Sequence, residues 1–202
     1  MEAMETTTEK LLDLVRKQGL LRPKDLAPLN IPRVALTRAV RRGQLERVGR
    51  GLYGLPTRVV SAHGTLAEVA RRVPKGVVCL LSALRFHELT TQAPFEVWLA
   101  IENKAAAPRL DYPPLRLVRF SAAALSEGVE EHLIDGVGVR VTSVAKTVAD
   151  CFKYRHKIGL DVALEALREA WAAQRMSSEE IWHCAKLNRV ANVMRPYLES
   201  LG

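Results

Sequence analysis

The stretch Leu20–Pro56, LLRPKDLAPLNIPRVALTRAVRRGQLERVGRGLYGLP, decides the fold of the N-terminal part of this chain. Pro23 suits the first turn of a short helix that carries Leu26, because its missing N–H has no partner there in any case. Asn30-Ile31-Pro32 reads as a turn with a second proline at a helix start. A third helix is predicted over Pro32–Arg42, with Gly43 as its stop. Leu36, Ala39 and Val40 fall on one face of it, and Arg33, Thr37, Arg38 and Arg41 fall largely on the other. Gln44–Val48 then alternates, with Leu45 and Val48 as its packed residues. Gly49-Arg50-Gly51 turns the chain tightly, and Leu52–Leu55 returns antiparallel. Upstream, Thr6-x-x-Glu9 is a capping box that opens a first helix with Leu11, Leu12 and Val15 on its apolar face and Gly19 at its end. Helix, short helix, helix and two-strand ribbon make a winged helix-turn-helix over residues 1–58.

The charges of this block point to its partner. From Arg22 to Arg58 the cations are Arg22, Lys24, Arg33, Arg38, Arg41, Arg42, Arg47, Arg50 and Arg58, against only Asp25 and Glu46. Duplex DNA is a dense line of phosphates, and Lys and Arg displace its condensed counterions. An arginine-bearing helix suits the major groove, where guanidinium groups pair with guanine, and a ribbon-tip arginine suits a narrow minor groove. The expected DNA-binding residues are Arg22, Lys24, Arg33, Thr37, Arg38, Arg41, Arg42, Arg47 and Arg50. Those in the first turns of the third helix are expected to read base edges, while Arg22, Lys24 and Arg50 are expected on backbone or minor groove. A solvated basic helix on a protein-binding module is the plainer alternative.

Composition agrees with an acidic partner: the 202 residues carry a formal charge of +8. Hydrophobic content of 48% supports a real core. No apolar run is long enough to span a bilayer, and the N-terminus MEAMETTTEK lacks the pattern of a secretory signal, so the expected location is cytoplasmic. Cys79, Cys151 and Cys184 are far apart and form no CxxC pair, which argues for buried thiols rather than a zinc or redox site. His183 and Cys184 are adjacent on a helix and face different ways. No metal or cofactor is expected.

Residues 63–202 read as a second, mixed α/β domain with a helical tail, which makes the whole chain α+β. Pro56–His63 is read as a linker and Thr65–Arg72 as a helix. Val77–Leu89 is read as the start of another helix, with Val78, Leu81, Leu84 and Leu89 as core positions. Strands are predicted at Glu96–Ile101 and Leu115–Phe120, with a hairpin Glu130–Ile134/Val139–Thr142 joined through Asp135-Gly136. Asn103–Pro114 is a loop. Helices follow at Thr142–Tyr154, at Leu160–Gln174 with a Leu160/Leu164/Leu167/Trp171 stripe, after the capping box Ser177-x-x-Glu180, and on to about Leu201.

Two other functions have candidate residues in the sequence. A nuclease-like site from Asp111, Glu130, Glu131 and Lys146 lacks an acidic-x-lysine strand pattern. Glu130 and Glu131 point to opposite strand faces, and Lys146 reads as part of a solvated helix face. Ser82 and His87 are five apart, off the same-face spacing of a helix. There is no GxSxG or GxxxxGK motif. Catalysis is therefore not expected. A ligand-responsive one-component repressor would need a pocket, with Trp98, Tyr112, Phe120 and Trp171 as candidate lining. Aromatics at such positions are more often core.

The block ending RAVRRGQLERVGRGLYGLP resembles the AbiEi antitoxin family of transcriptional regulators, and the resemblance continues at Cys79–Ile101, at Thr142–Arg155 and in the tail ending NVMRPYLESL. It implies a repressor that binds operator inverted repeats through its winged helix, with pairs of molecules on the DNA. It also implies a nucleotidyltransferase-like toxin as functional partner. The C-terminal domain would counteract that toxin, in many members without a stable complex. Within this resemblance, Arg33, Thr37, Arg38, Arg41 and Arg42 match the recognition-helix region, and Arg47 and Arg50 match the wing.

Overall fold

A computed structural model describes residues 6–201. The chain packs as two units, Met1–Arg72 with Leu133–Gly138, and Val73–His132 with Val139–Gly202.

The first unit opens with α1 (Thr7–Gln18). Its capping box is complete: the Thr6 hydroxyl accepts from the Glu9 N–H, and the Glu9 carboxylate accepts from the Thr6 N–H. Gly19 ends the helix with φ +67°. The segment Pro23–Leu29 is a 3-10 helix rather than an α-helix, and it closes on Asn30 in the left-handed region. Next come α2 (Val34–Arg41) and a ribbon of β1 (Glu46–Gly49) and β2 (Leu52–Gly54). The strands pair antiparallel, with an irregularity between Arg47 and Gly49. Leu21 adds a bridge that sequence reading missed: it exchanges both backbone hydrogen bonds with Tyr53 at 2.8 and 2.9 Å. Leu11 and Val15 of α1, Leu26, Ile31, Leu36 and Ala39 of α2, and Leu45 form one small core. The unit also takes in α3 (Gly64–Arg72), whose Leu66, Ala67 and Val69 are buried.

The second unit is a sheet with helices. Its elements are β3 (Val77–Val78), α4 (Leu80–Phe86), β4 (Val97–Glu102), β5 (Leu115–Phe120), α5 (Ala122–Ser126), β6 (Val129–Ile134), β7 (Val137–Thr142), α6 (Val144–Lys153), α7 (Arg155–Ile158), α8 (Leu160–Ala172), α9 (Ser178–Leu187) and α10 (Ala191–Glu199), except that the hairpin end of β6 and β7, Leu133–Gly138, groups with the first unit. The strand order is β5-β4-β3-β7-β6. β4 and β5 are parallel, β3 and β4 antiparallel, and β3 and β7 parallel. The hairpin turn is the predicted Asp135-Gly136, both residues at positive φ.

Three expectations are corrected here. Val77–Val78 is not helical. It is the central strand, and α4 begins only at Leu80. A short apolar run does not distinguish strand from helix by periodicity, and the β-branched pair is taken by β4 and β7. In α8 the buried residues are Val162, Ala163, Ala166, Leu167 and Ala170, while Leu160 is exposed and Leu164 and Trp171 are half-buried. The small residues let α8 approach α6 closely. Lys146 is not on a solvated face: every residue from Val144 to Phe152 is buried, because α6 packs against α4, α8 and α9.

Candidate nucleic-acid interface

The site is built on α2. Leu36 and Ala39 anchor the helix in the small core, which fixes the direction of its other face. Arg33, Thr37, Arg38, Arg41 and Arg42 are exposed there. No ion pair engages Arg33, Arg38, Arg41 or Arg42 among the described residues. Lys24 is exposed on the 3-10 helix, as are Arg47 on β1 and Arg50 at the ribbon turn. The Arg47 Nε donates to the Gly49 carbonyl at 3.3 Å, which holds that side chain along the ribbon. Gly51, at φ +66°, closes the turn in a backbone region that suits glycine.

Arg22 is placed differently. Its side chain is only 16% exposed and lies 3.6 Å from the Asp25 carboxylate, which also accepts from the Arg22 N–H at 2.7 Å. Asp25 further binds Arg71 of α3 at 2.8 Å, and Arg71 also donates to the Gln18 side chain. Burial lowers the Arg71 pKa, and the nearby Asp25 charge opposes that shift. Arg58 pairs with Glu68 of α3 at 3.7 Å. A Cβ placed at Gly49 would run into the Arg72 guanidinium, so α3 also buttresses the ribbon. Part of the basic surplus counted from the sequence is thus spent inside the module, and the exposed cations are concentrated on α2 and the ribbon.

Sequence reading missed two groups of residues. Val34 is 49% exposed on the basic face of α2; its spacing from Thr37, Arg38 and Arg41 was the available signal. The second group is a buried polar cluster in the other unit. Lys146 Nζ lies 2.6 Å from Asp150 Oδ1 with both side chains fully buried. Asn188 donates to the same oxygen at 2.7 Å, and the Lys146 ammonium sits 4.6 Å from the centre of the Phe120 ring. Burial pushes the Asp150 carboxyl up, and Lys146 and Asn188 oppose the shift.

The rival sites do not assemble. Ser82 accepts from the Trp98 N–H at 2.9 Å, and His87 bonds the Thr142 carbonyl at 2.7 Å. Each is occupied by backbone rather than by the other. Glu130 pairs with His132 at 3.1 Å, and no group of acidic, His or Cys side chains suited to a metal occurs among the described residues. Trp98 and Phe120 are core, Trp171 is half-buried and Tyr112 is exposed, so the four aromatics do not surround one pocket. All three cysteines are buried, and burial raises each thiol pKa. No helix among the described residues is long and apolar enough to cross a membrane.

A search of curated proteins finds no match. Residues 9–56, which take in α1 from Glu9 onward, the 3-10 helix, α2 and the ribbon, match the family model described as "Transcriptional regulator, AbiEi antitoxin"; over this module the chain is similar to that family, in agreement with the resemblance read from its sequence.

Proposed function

We propose that the first unit is a winged helix-turn-helix that binds duplex DNA at the promoter of its own operon and represses it from the cytoplasm. The observation that carries this reading is the outer face of α2, where Arg38 and Arg41 are flanked by Arg33 and Arg42, all exposed. Such a helix enters the major groove with its first turns on base edges. The ribbon carries Arg47 and Arg50 as a wing, and Lys24 contacts phosphate. Two copies on an inverted repeat would present two such helices one helical turn apart. The second unit serves the antitoxin role by counteracting a nucleotidyltransferase-like toxin, without catalysis of its own. That part rests on the family resemblance.

The test is a binding titration on the upstream duplex over a range of salt. Each phosphate contact contributes about −0.9 to the slope of log K against log salt. Arg38→Glu or Arg41→Glu should abolish specific binding, while Lys24→Ala should lower affinity for all sequences alike and flatten the slope by about one unit. Charge-reversal variants that bind like the wild type would remove α2 from the interface. Co-expression with the neighbouring toxin gene tests the antitoxin role separately.

A further inference from the structure

α2 presents an apolar group where a charged helix has no structural use for one. Its core contacts come from Leu36 and Ala39, and Val34 is 49% exposed. At 3.6 residues per turn, Val34, Thr37, Arg38 and Arg41 lie within an arc of about 100°, and the valine sits inside that arc rather than at its margin. It is also in the first turn, the part of such a helix that reaches base edges. Val34 carries no donor or acceptor beyond its backbone. Against a polar base edge it would leave hydrogen-bonding groups desolvated and unmatched. The apolar substituent that the major groove offers is the 5-methyl group of thymine.

We propose that Val34 is a specificity-determining residue whose isopropyl group packs on the 5-methyl group of a thymine in the bound duplex. The assignment rests on the DNA-binding reading of α2. Arg38, one turn further along the same face, reads a neighbouring base pair. Val34 thereby favours T·A at its own position through apolar contact, while the guanidinium groups supply pull on the phosphates and guanines.

Thymine and uracil differ in duplex DNA by this one methyl group, which gives a direct test. The duplex preferred by the full-length protein is first obtained by selection from a randomised pool. Each thymine is then replaced singly by deoxyuridine, and dissociation constants are measured for the wild type and Val34→Ala. Alanine favours the helix, and the site is half-exposed, so the variant folds; circular dichroism checks this. One replacement per half-site should weaken wild-type binding about fourfold, the scale of burying one methyl group. The same replacement should leave Val34→Ala nearly unaffected. Lys24→Ala should bind more weakly throughout yet keep the uracil penalty. If wild-type binding is sequence-selective but indifferent to every thymine-to-uracil change, the assignment of Val34 is overturned and the DNA-binding reading stands. An equal penalty in Val34→Ala has the same meaning. A wild-type protein that binds no duplex overturns both.

Discussion

His87 illustrates how one buried side chain ties stability to pH. It is 4% exposed, and its Nε2–H donates to the Thr142 carbonyl, which fixes the tautomer. Burial lowers its pKa below the ordinary 6.5, opposed by the Thr142 carbonyl and Glu130, while Arg175 and His132 lower it further. The unfolded chain therefore binds this proton more readily than the folded one, and stability falls as pH drops below about 6.5. Above that value the residue is neutral in both states and contributes no pH dependence. His87→Gln keeps an N–H donor without a titrating ring. Urea unfolding midpoints should fall less between pH 7.5 and pH 5.5 in the variant than in the wild type. Identical pH profiles would show that His87 does not titrate in that window. Arg22 makes a related point at the same scale: a cation visible in sequence as a phosphate contact is held by Asp25 at 3.6 Å, so its substitution should be read for stability before affinity.

At the scale of elements, what was legible followed from local chemistry. The two capping boxes, at Thr6/Glu9 and Ser177/Glu180, form as their side chains dictate. The Asp135-Gly136 turn forms because its residues tolerate positive φ, and the basic face of α2 emerges because Leu36 and Ala39 fix the opposite face. What was not legible depended on neighbours distant in sequence. Lys146 and Asp150 are four apart on a helix, the spacing of an ordinary surface pair. Only the packing of other helices around α6 turns them into a buried one. In α8, residue size suggested a Leu and Trp stripe, whereas close approach to α6 selected alanines. The buried pair has a measurable consequence. Lys146→Met alone strands the Asp150 carboxylate and should cost about 3–5 kcal/mol. Replacing Lys146, Asp150 and Asn188 together by Met, Leu and Leu should recover most of that loss, since a buried ion pair is seldom more stable than a well-packed apolar substitute. Calorimetric or urea unfolding of the single and triple variants decides it. A triple variant as unstable as the single one would mean that the cluster itself stabilises the fold.

At the scale of the whole molecule, the contacts of α3 bear on where the N-terminal module ends. The sequence suggests a boundary near residue 58, followed by a linker. In the structure α3 groups with the first unit, held by Arg71 on Asp25 at 2.8 Å and by Arg58 on Glu68 at 3.7 Å. Removing α3 takes Arg71 from Asp25, uncovers whatever Leu66, Ala67 and Val69 pack against, and takes the Arg72 guanidinium away from Gly49. A fragment of residues 1–72 is therefore expected to unfold cooperatively and to bind duplex with nearly the salt slope of the full chain. It would lack only the hydrogen bonds from the Ser61 N–H to the Asp135 carboxylate, each 3.3 Å long, and the rest of the Leu133–Gly138 segment. A fragment of residues 1–58 is expected to be less stable and to bind more weakly, although it contains every exposed cation of α2 and the ribbon. Equal affinity of the two fragments would show that charge on α2 suffices and that α3 only follows the module. A larger loss in the shorter fragment, with its helix content reduced, would show that the interface needs α3 to hold it in shape.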